Sequence, residues 1–226
     1  MWLQSRKRSP VCDKDELRQK EKEEEHPGNL KANHNGLPKS IPTLSGTLSF
    51  PRLDNNEFTG PIPDWLGEHQ YLQHLGLTEN IFFACIPSSL GNVTSLNQLT
   101  VSSNLLSGNL PNTIGQLFNL RRLYIEGSLS GVLSEKHISK LFNLESILLN
   151  SDFAFNLDPN WIPPFQFHEI SLRNTILGPT IPKWLNTQRT LDTLDIYYSE
   201  ISSINADKFL ELCIQYWNNS LVPRCN

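Results

Sequence analysis

The sequence lacks the features that mark several large protein classes. No stretch approaches the roughly 18 consecutive apolar residues that a membrane-spanning helix needs. The N-terminus, MWLQSRKRSP, turns basic before any apolar core appears, so it does not match a secretory signal. The formal net charge is -4, and the chain has no basic stripe of the kind that nucleic-acid binders carry. We therefore expect no transmembrane segment in this chain and no nucleic-acid partner.

The spacings typical of common catalytic and metal sites are absent as well. The six histidines form no HExxH pair, and the sequence contains neither a GxGxxG nor a GxxxxGK loop. Residues 127–131 read GSLSG, with leucine where a nucleophile elbow has serine, so we interpret them as a repeat turn. We expect His69 and His137 at the convex surface rather than at a metal. The sequence therefore predicts no cofactor, no metal and no enzymatic activity.

Cysteine is scarce, and its four positions form no CxxC pair. Cys213 and Cys225 are close enough in sequence to close a small loop, which makes them a candidate disulfide if the chain is secreted. Cys85 falls at a variable repeat position, where we expect a free thiol. Two N-glycosylation sequons begin at Asn92 and Asn218. Asn92 is the better candidate, because the turn after a short helical segment should face solvent.

What the sequence does contain is a repeat of fixed length. Asn56, Asn80 and Asn104 follow one another at intervals of 24 residues, each inside the same pattern of apolar residues. The fullest copy consists of Leu96, Leu99, Val101, Asn104, Leu106, Gly108, Leu110, Pro111, Ile114, Gly115 and Leu117. A period of this length is typical of leucine-rich repeats. One unit cannot bury its own apolar face, whereas stacked units build a solenoid with a long concave surface.

The predicted fold is an α/β solenoid of about six to seven plant-type leucine-rich repeats. Parallel strands should line the concave face, and short 3-10 or helical turns should return along the convex side. The strands should be centred near Leu75, Leu99, Leu123, Ile147, Ile170 and Leu194. The asparagines should form a ladder, because a buried turn needs partners for its backbone groups. In later units short polar residues fill the asparagine position, namely Ser128, Asp152, Thr175 and Ser199.

The chain divides into three segments by composition. Residues 1–29 hold seven Lys/Arg and seven Asp/Glu, and we expect a disordered leader because so charged a segment buries little apolar surface. Residues 30–201 carry the repeats and form the predicted solenoid. Residues 202–226 lose the repeat pattern and are predicted to be an irregular C-terminal tail.

Candidate ligand-binding residues follow from strand alternation, which turns leucines inward and the residues between them towards the concave surface. Arginine and tyrosine dominate binding hot spots because they combine contact area with directed hydrogen bonds. We therefore predict a ligand-binding surface made of Arg122, Tyr124, Glu126, Arg173, Asp195 and Tyr197. The apolar excursion at 161–165, WIPPF, is interpreted as solenoid packing, with a recognition loop as the alternative.

Two stretches resemble a known family. Residues 96–120, ending in VSSNLLSGNLPNTIGQLFNL, resemble the plant-specific leucine-rich repeat. Between positions 132 and 196, the pieces VLSEKHISKLFNL, NWIPPFQ, LGPTIPKWLNTQ and LDI are similar to the ectodomains of plant receptor-like proteins. That family includes receptors for fungal xylanase elicitors and disease-resistance proteins. The resemblance covers about residues 35–201.

The resemblance implies a solenoid on the extracellular face of the plasma membrane that perceives a microbial protein or peptide. Receptors of this family have no kinase domain and signal through a partner receptor kinase. Only Cys12–Glu16 resembles the start of the family's N-terminal cap, so the chain looks like a truncated ectodomain. Two alternatives stay open at this point. One is a soluble inhibitor of the polygalacturonase-inhibitor type, which shares the repeat but has a complete, capped solenoid; the other is a non-functional truncated paralogue.

Overall fold

A parallel ladder of strands forms the concave face of the solenoid in the computed structural model, which describes residues 53–201. The strands are β2 (His74–Gly76), β4 (Gln98–Val101), β6 (Arg122–Leu133), β7 (Ser146–Phe155), β8 (Glu169–Arg173) and β9 (Thr193–Asp195). Their register places Leu75, Leu99, Leu123, Ile147, Ile170 and Leu194 side by side. All six side chains are buried. The predicted solenoid and its strand centres are therefore confirmed.

A second, shorter parallel ladder follows the first one around the turn of each early repeat. It contains β1 (Thr59–Gly60), β3 (Ile81–Ala84) and β5 (Leu105–Gly108), and β5 continues the pairing onto β6. The side chains of Ile81, Phe83 and Leu105 point outward from this ladder and are exposed. The leucine spacing of the repeat does not predict this second ladder.

Among the described residues, the convex side consists of five short helical segments, four of which follow a proline. Four of them are 3-10 helices, η1 (Asp64–Glu68), η2 (Ser88–Asn92), η3 (Asn112–Gln116) and η4 (Lys183–Thr187), and one is a short α-helix, α1 (Glu135–Ile138). An extended proline precedes each 3-10 helix, as expected from its fixed φ. Glycine lets neighbouring segments approach closely. A Cβ on Gly91, for example, would clash with the backbone carbonyl of Thr113.

Asparagine side chains link consecutive repeats through backbone hydrogen bonds. The Oδ1 atom of Asn80 accepts the Phe58 N–H at 3.1 Å, and its Nδ2 donates to the Leu53 carbonyl at 2.8 Å. Asn104 repeats this geometry one unit later, accepting from Phe82 at 3.0 Å. The residue before each of these asparagines has a positive φ, for example 54° at Glu79. The side chain therefore satisfies backbone groups at a left-handed turn between stacked strands.

The asparagine pattern is interrupted in the middle of the solenoid, which corrects two expectations. Ser128 and Asp152 were predicted at repeat turns, but both are exposed within strands β6 and β7. The reason is that these strands pair again after a register shift between Glu126 and Ser130, so the chain continues as a strand where other repeats turn. The segment 127–131 is therefore part of β6 and not a repeat turn.

From the interruption onward, other short polar side chains form hydrogen bonds to backbone groups at the repeat turns. Ser151, next to the predicted Asp152, is buried and donates its hydroxyl to the Gly127 carbonyl at 3.1 Å. Thr175 and Ser199 occupy their predicted positions, are buried, and donate to backbone carbonyls three residues earlier.

Two further expectations about individual residues are wrong. His137 is only 5% exposed rather than at the surface, because its ring inserts between the turn at Ser134 and the carbonyl of Leu110. Burial lowers the pKa of His137 below its ordinary value. Cys85 is disulfide-bonded and is therefore not a free thiol.

Trp161 and Phe165 of the apolar excursion at 161–165 pack against the core, whereas Ile162 between them is 68% exposed. The ring of Trp161 lies against those of Phe165 and Trp184, with centroids 6.1 and 6.3 Å apart. Phe167 extends the cluster, its ring centroid 4.9 Å from that of Phe165. This cluster supports the packing interpretation over the recognition loop.

Candidate ligand-binding face

Four of the six predicted binding residues share one depression on the concave face. Tyr124, Glu126, Arg173 and Asp195 line a depression of about 630 Å³, which we call the concave hollow. Strands β6, β8 and β9 position them, because the in-register ladder brings their concave side chains onto one surface. Leu148 of β7 adds apolar surface to the floor of the hollow.

Hydrogen bonds between neighbouring strands hold several of these side chains. The Ser146 hydroxyl lies 3.2 Å from the Tyr124 hydroxyl and 2.7 Å from a carboxylate oxygen of Glu169. These two neighbours bury Ser146 on the concave face. The phenol of Tyr124 is therefore held in place by the strand beside it.

Arg173 is oriented by Asp195 on the neighbouring strand. Its Nε donates to Oδ2 of Asp195 at 2.6 Å, and its pKa is raised by this hydrogen bond and by the carboxylate charge. The Asp195 side chain is 17% exposed, whereas that of Arg173 is 54% exposed. The guanidinium of Arg173 is thus accessible to solvent, while its bond to the less exposed Asp195 carboxylate fixes its position.

The other two predicted residues lie outside the concave hollow. Arg122 is exposed and donates from Nη1 to Oε1 of Gln98 at 3.2 Å. Tyr197 is 41% exposed, and its ring centroid lies 3.9 Å from that of Tyr198. A hydrogen bond with Tyr198 raises the pKa of Tyr197. The structure therefore places Arg122 and Tyr197 outside the depression that the other four predicted residues share.

A second depression adjoins the first at the strand ends and was missed by the sequence analysis. We call it the rim hollow; it encloses about 590 Å³. Its polar lining includes Glu126, Asn150, Asp152, Asn174, Tyr198 and Glu200. Glu126 and Asn150 line both hollows. One sequence signal could have indicated this hollow: Ser128 and Asp152 replace asparagine at the asparagine position of two successive repeats. These two replacements mark the interruption of the asparagine ladder beside which the hollow opens.

The remaining predicted sites are only partly covered by the structure. Asn92 is exposed at the end of η2, which leaves its side chain accessible to a glycosyltransferase. Asn218, Cys213 and Cys225 lie outside the described residues. Between residues 53 and 201, no three His, Cys, Asp or Glu side chains are grouped so that they could hold a metal ion. In the same range, no helix has the length and apolarity to cross a bilayer.

Sequence comparison finds relatives among plant receptor-like proteins. No family model matches the chain. A segment of 62 residues is 44% identical to receptor-like protein EIX1 of Solanum lycopersicum, and one of 72 residues is 39% identical to EIX2 of the same species. These matches cover 25% and 30% of this chain but only 6% and 7% of the two relatives.

Structure comparison finds plant receptor ectodomains. The plant peptide hormone receptor RGFR1, solved in complex with RGF2, matches with a TM-score of 0.59 and 27% identity over 63% of this chain and 23% of the receptor. The Arabidopsis receptor kinase HAESA, solved with the peptide hormone IDA and the co-receptor SERK1, matches with a TM-score of 0.60 and 27% identity. That match covers 64% of this chain and 25% of HAESA.

Fold and site geometry define the class of the protein as a plant-type leucine-rich-repeat solenoid with a polar concave face. The repeat ladder, the asparagine turns and the matches to EIX1 and EIX2 agree on this assignment. Within that class, the chain is similar to plant receptor-like proteins over the short segments that match EIX1 and EIX2.

Proposed function

We propose that this chain is a non-enzymatic ligand-binding module whose concave face binds a protein or peptide. The observation that carries the proposal is the concave hollow, where Tyr124, Glu126, Arg173 and Asp195 converge from three strands. Tyrosine and arginine supply contact area and directed hydrogen bonds, which is the composition expected of a binding hot spot.

The concave hollow suits a peptide chemically. The Arg173 guanidinium can bind a carboxylate or a backbone carbonyl, and Asp195 already holds it, so little side-chain entropy remains to be lost on binding. The Tyr124 ring and Leu148 supply apolar surface beside these polar groups. A peptide lying across the strands would meet both kinds of contact.

The similarity to EIX1 and EIX2 supports a more specific proposal. The ligand would be a microbial elicitor, perceived at the extracellular face of the plasma membrane as part of plant defence signalling. The presence of a co-receptor, SERK1, in the HAESA complex supports a co-receptor kinase as the second partner.

Binding of candidate elicitors to the full chain tests this proposal. A panel that includes a fungal xylanase would be passed over the immobilised chain and over the double variant Tyr124→Ala/Arg173→Ala. Loss of two hot-spot side chains should weaken binding by about thirtyfold or more. The matched control is Tyr71→Ala/Arg189→Ala, which removes the same two residue types at exposed positions outside both hollows.

The proposal requires that Tyr71→Ala/Arg189→Ala binds the elicitor as the wild type does, while Tyr124→Ala/Arg173→Ala loses affinity. If both variants bind an elicitor with wild-type affinity, the site lies elsewhere. If the wild type binds no member of the panel, elicitor perception is contradicted.

A further inference from the structure

The disulfide of Cys85 ties a second segment of the chain to the solenoid. Cys85 is disulfide-bonded, and it is the only cysteine between residues 53 and 201. Within this chain its partner is therefore Cys12, Cys213 or Cys225. Cys85 is half-buried directly after β3, and a Cβ on Gly108 at the end of β5 would lie 2.9 Å from its sulfur. The disulfide therefore anchors its partner at the second ladder.

Loop lengths favour Cys12 as this partner. Pairing Cys12 with Cys85 leaves Cys213 and Cys225, the candidate disulfide of the C-terminal tail. The probability of closing a flexible loop falls roughly as the −3/2 power of its length. In an unfolded chain, this arrangement of the four cysteines is favoured by about a hundredfold over either alternative, because both of its loops are shorter.

The position of Cys85 near one end of the described solenoid also favours Cys12. Leu53 belongs to the repeat before that of Cys85, whereas Ile201 lies five repeats beyond it. Neighbouring strands are about 4.8 Å apart, so Ile201 is roughly 24 Å from the repeat of Cys85. A C-terminal partner would have to run back along the ladder over this distance, whereas the chain before Leu53 joins the solenoid beside Cys85.

An exposed apolar surface lies next to Cys85 on the second ladder. Ile81 and Phe83 of β3 and Leu105 of β5 are 44%, 43% and 63% exposed. Phe83 and Leu105 are register partners, so this surface continues from one strand to the next. We call these three side chains the lateral strip. A segment that covered the strip would be held by the burial of apolar area.

The repeats that carry the lateral strip have charge of one sign. From residue 53 to residue 120 the sequence contains no Lys or Arg. Its acidic residues in this range are Asp54, Glu57, Asp64, Glu68 and Glu79. Glu57 and Glu79 are exposed, and Glu57 holds the repeat position of Ile81 one unit earlier. A basic segment would therefore be attracted to this end of the solenoid.

The segment that ends at Cys12 has the matching composition. Residues 1–12 contain no Asp or Glu. Their basic residues and larger apolar residues are Met1, Trp2, Leu3, Arg6, Lys7, Arg8 and Val11. The segment thus complements the lateral strip in apolarity and the surrounding repeats in charge.

We propose that residues 1–12 lie over the lateral strip and are held there by a disulfide between Cys12 and Cys85. The oxidant is a small-molecule disulfide of the glutathione class. One cysteine thiolate attacks it and releases one glutathione, and the second cysteine then displaces the other. The two protein thiols lose two protons and two electrons, and two glutathione thiols form. This inference does not depend on ligand binding at the concave face, and it replaces the expectation that all of residues 1–29 is a disordered leader.

A tryptic map without reduction identifies the partner of Cys85, because trypsin separates all four cysteines. Cleavage after Lys and Arg leaves them in the peptides 9–14, 53–121, 209–224 and 225–226. The full chain is oxidised with glutathione, remaining thiols are blocked with N-ethylmaleimide, and linked peptides are identified by mass spectrometry. We expect peptide 9–14 linked to peptide 53–121. A link from 53–121 to either C-terminal peptide, or no link at all, would overturn the proposal.

The equilibrium of this disulfide with glutathione measures docking on the lateral strip. The effective concentration of the two cysteines is the ratio of linked to reduced chain multiplied by [GSH]²/[GSSG]. Phe83→Ser/Leu105→Ser removes apolar side chains from the strip, and Phe118→Ser/Phe142→Ser removes two exposed ones elsewhere. We expect the strip variant to lower the effective concentration about tenfold and the control to leave it unchanged. A wild-type value in the strip variant, or equal losses in both, would refute docking.

A second pair of variants tests the charge of the segment. Arg6→Gln/Arg8→Gln removes two basic residues before Cys12, and Lys20→Gln/Lys22→Gln removes two after it. At low salt the first variant should lower the effective concentration about threefold or more, and added salt should reduce this difference. The second variant should match wild type. If both variants lower the effective concentration equally, the attraction is not specific to residues 1–12 and the proposal fails.

Discussion

The asparagine ladder should make stability depend strongly on Asn80 and hardly at all on its counterpart Asp152. Replacing Asn80 by Ala removes the acceptor of the Phe58 N–H and the donor to the Leu53 carbonyl. Phe58 and Leu53 are almost fully buried, so water cannot easily replace the hydrogen-bond partners that their backbone groups lose. Each of the two orphaned groups costs about 1–3 kcal/mol, which gives about 2–6 kcal/mol for Asn80→Ala. Asp152 holds the same repeat position, but its side chain is exposed within strand β7, so Asp152→Ala should cost less than about 0.5 kcal/mol.

Urea unfolding followed by circular dichroism measures both variants against wild type. For a chain of this size, 1 kcal/mol corresponds to about 2–4 °C in melting temperature, so thermal melts give a second reading. The slope of the urea transition should be unchanged if only stability is affected. Similar losses in Asn80→Ala and Asp152→Ala would refute the reasoning, since the two positions would then serve the same role.

Three further predictions concern the core, the convex side and the surface. Leu99→Ala should lower the free energy of unfolding by about 2–5 kcal/mol because the side chain is fully buried, whereas Leu105→Ala, at 63% exposure, should cost little in the same urea titration. Gly91→Ala should cost about 1–3 kcal/mol or more by overpacking η2 against Thr113, seen as a lower melting temperature; an unchanged melt would mean that the segments are not in contact. Asn92→Gln should remove one glycan-dependent gel shift after expression through a plant secretory pathway, and an unchanged shift would argue against the site.

The fold was predictable because the repeat is redundant. A leucine or isoleucine that recurs every 23 or 24 residues identifies both the strand and its register, so an error in one unit is corrected by its neighbours. The strand centres from Leu75 to Leu194 were found in this way. The second ladder was not, because Ile81, Phe83 and Leu105 are apolar yet face outward, which is the opposite of the alternation that indicates a half-buried strand.

The candidate site was predictable only in part. Alternation identified the concave side chains of Tyr124, Glu126, Arg173 and Asp195, but it could not show which of them share a hollow. The rim hollow depends on β6 and β7 pairing beyond the asparagine position, and that pairing is non-local. Serine and aspartate at positions 128 and 152 suit a turn as well as an exposed strand, so local chemistry did not distinguish the two.

Burial of His137 predicts a specific pH dependence of stability. The Ser134 N–H can only donate, so Nδ1 of His137 must accept at 3.1 Å, and Nε2 carries the proton at 3.2 Å from the Leu110 carbonyl. Protonating Nδ1 would remove that acceptor and place a charge in a buried position beside Lys136. These effects accompany the lowered pKa, whose largest cause is burial.

The sign of the effect follows from proton uptake. The unfolded chain has an ordinary histidine pKa of about 6.5, above that of the folded state, so it binds more protons as the pH falls below this value. The contribution of His137 to stability is therefore complete above about pH 6.5 and decreases as the pH is lowered from there towards the folded-state pKa. Urea unfolding at pH 7.5 and pH 5 should show a larger loss for wild type than for His137→Gln, which cannot take up the proton. Parallel pH profiles for the two proteins would mean that this buried imidazole does not couple folding to protonation.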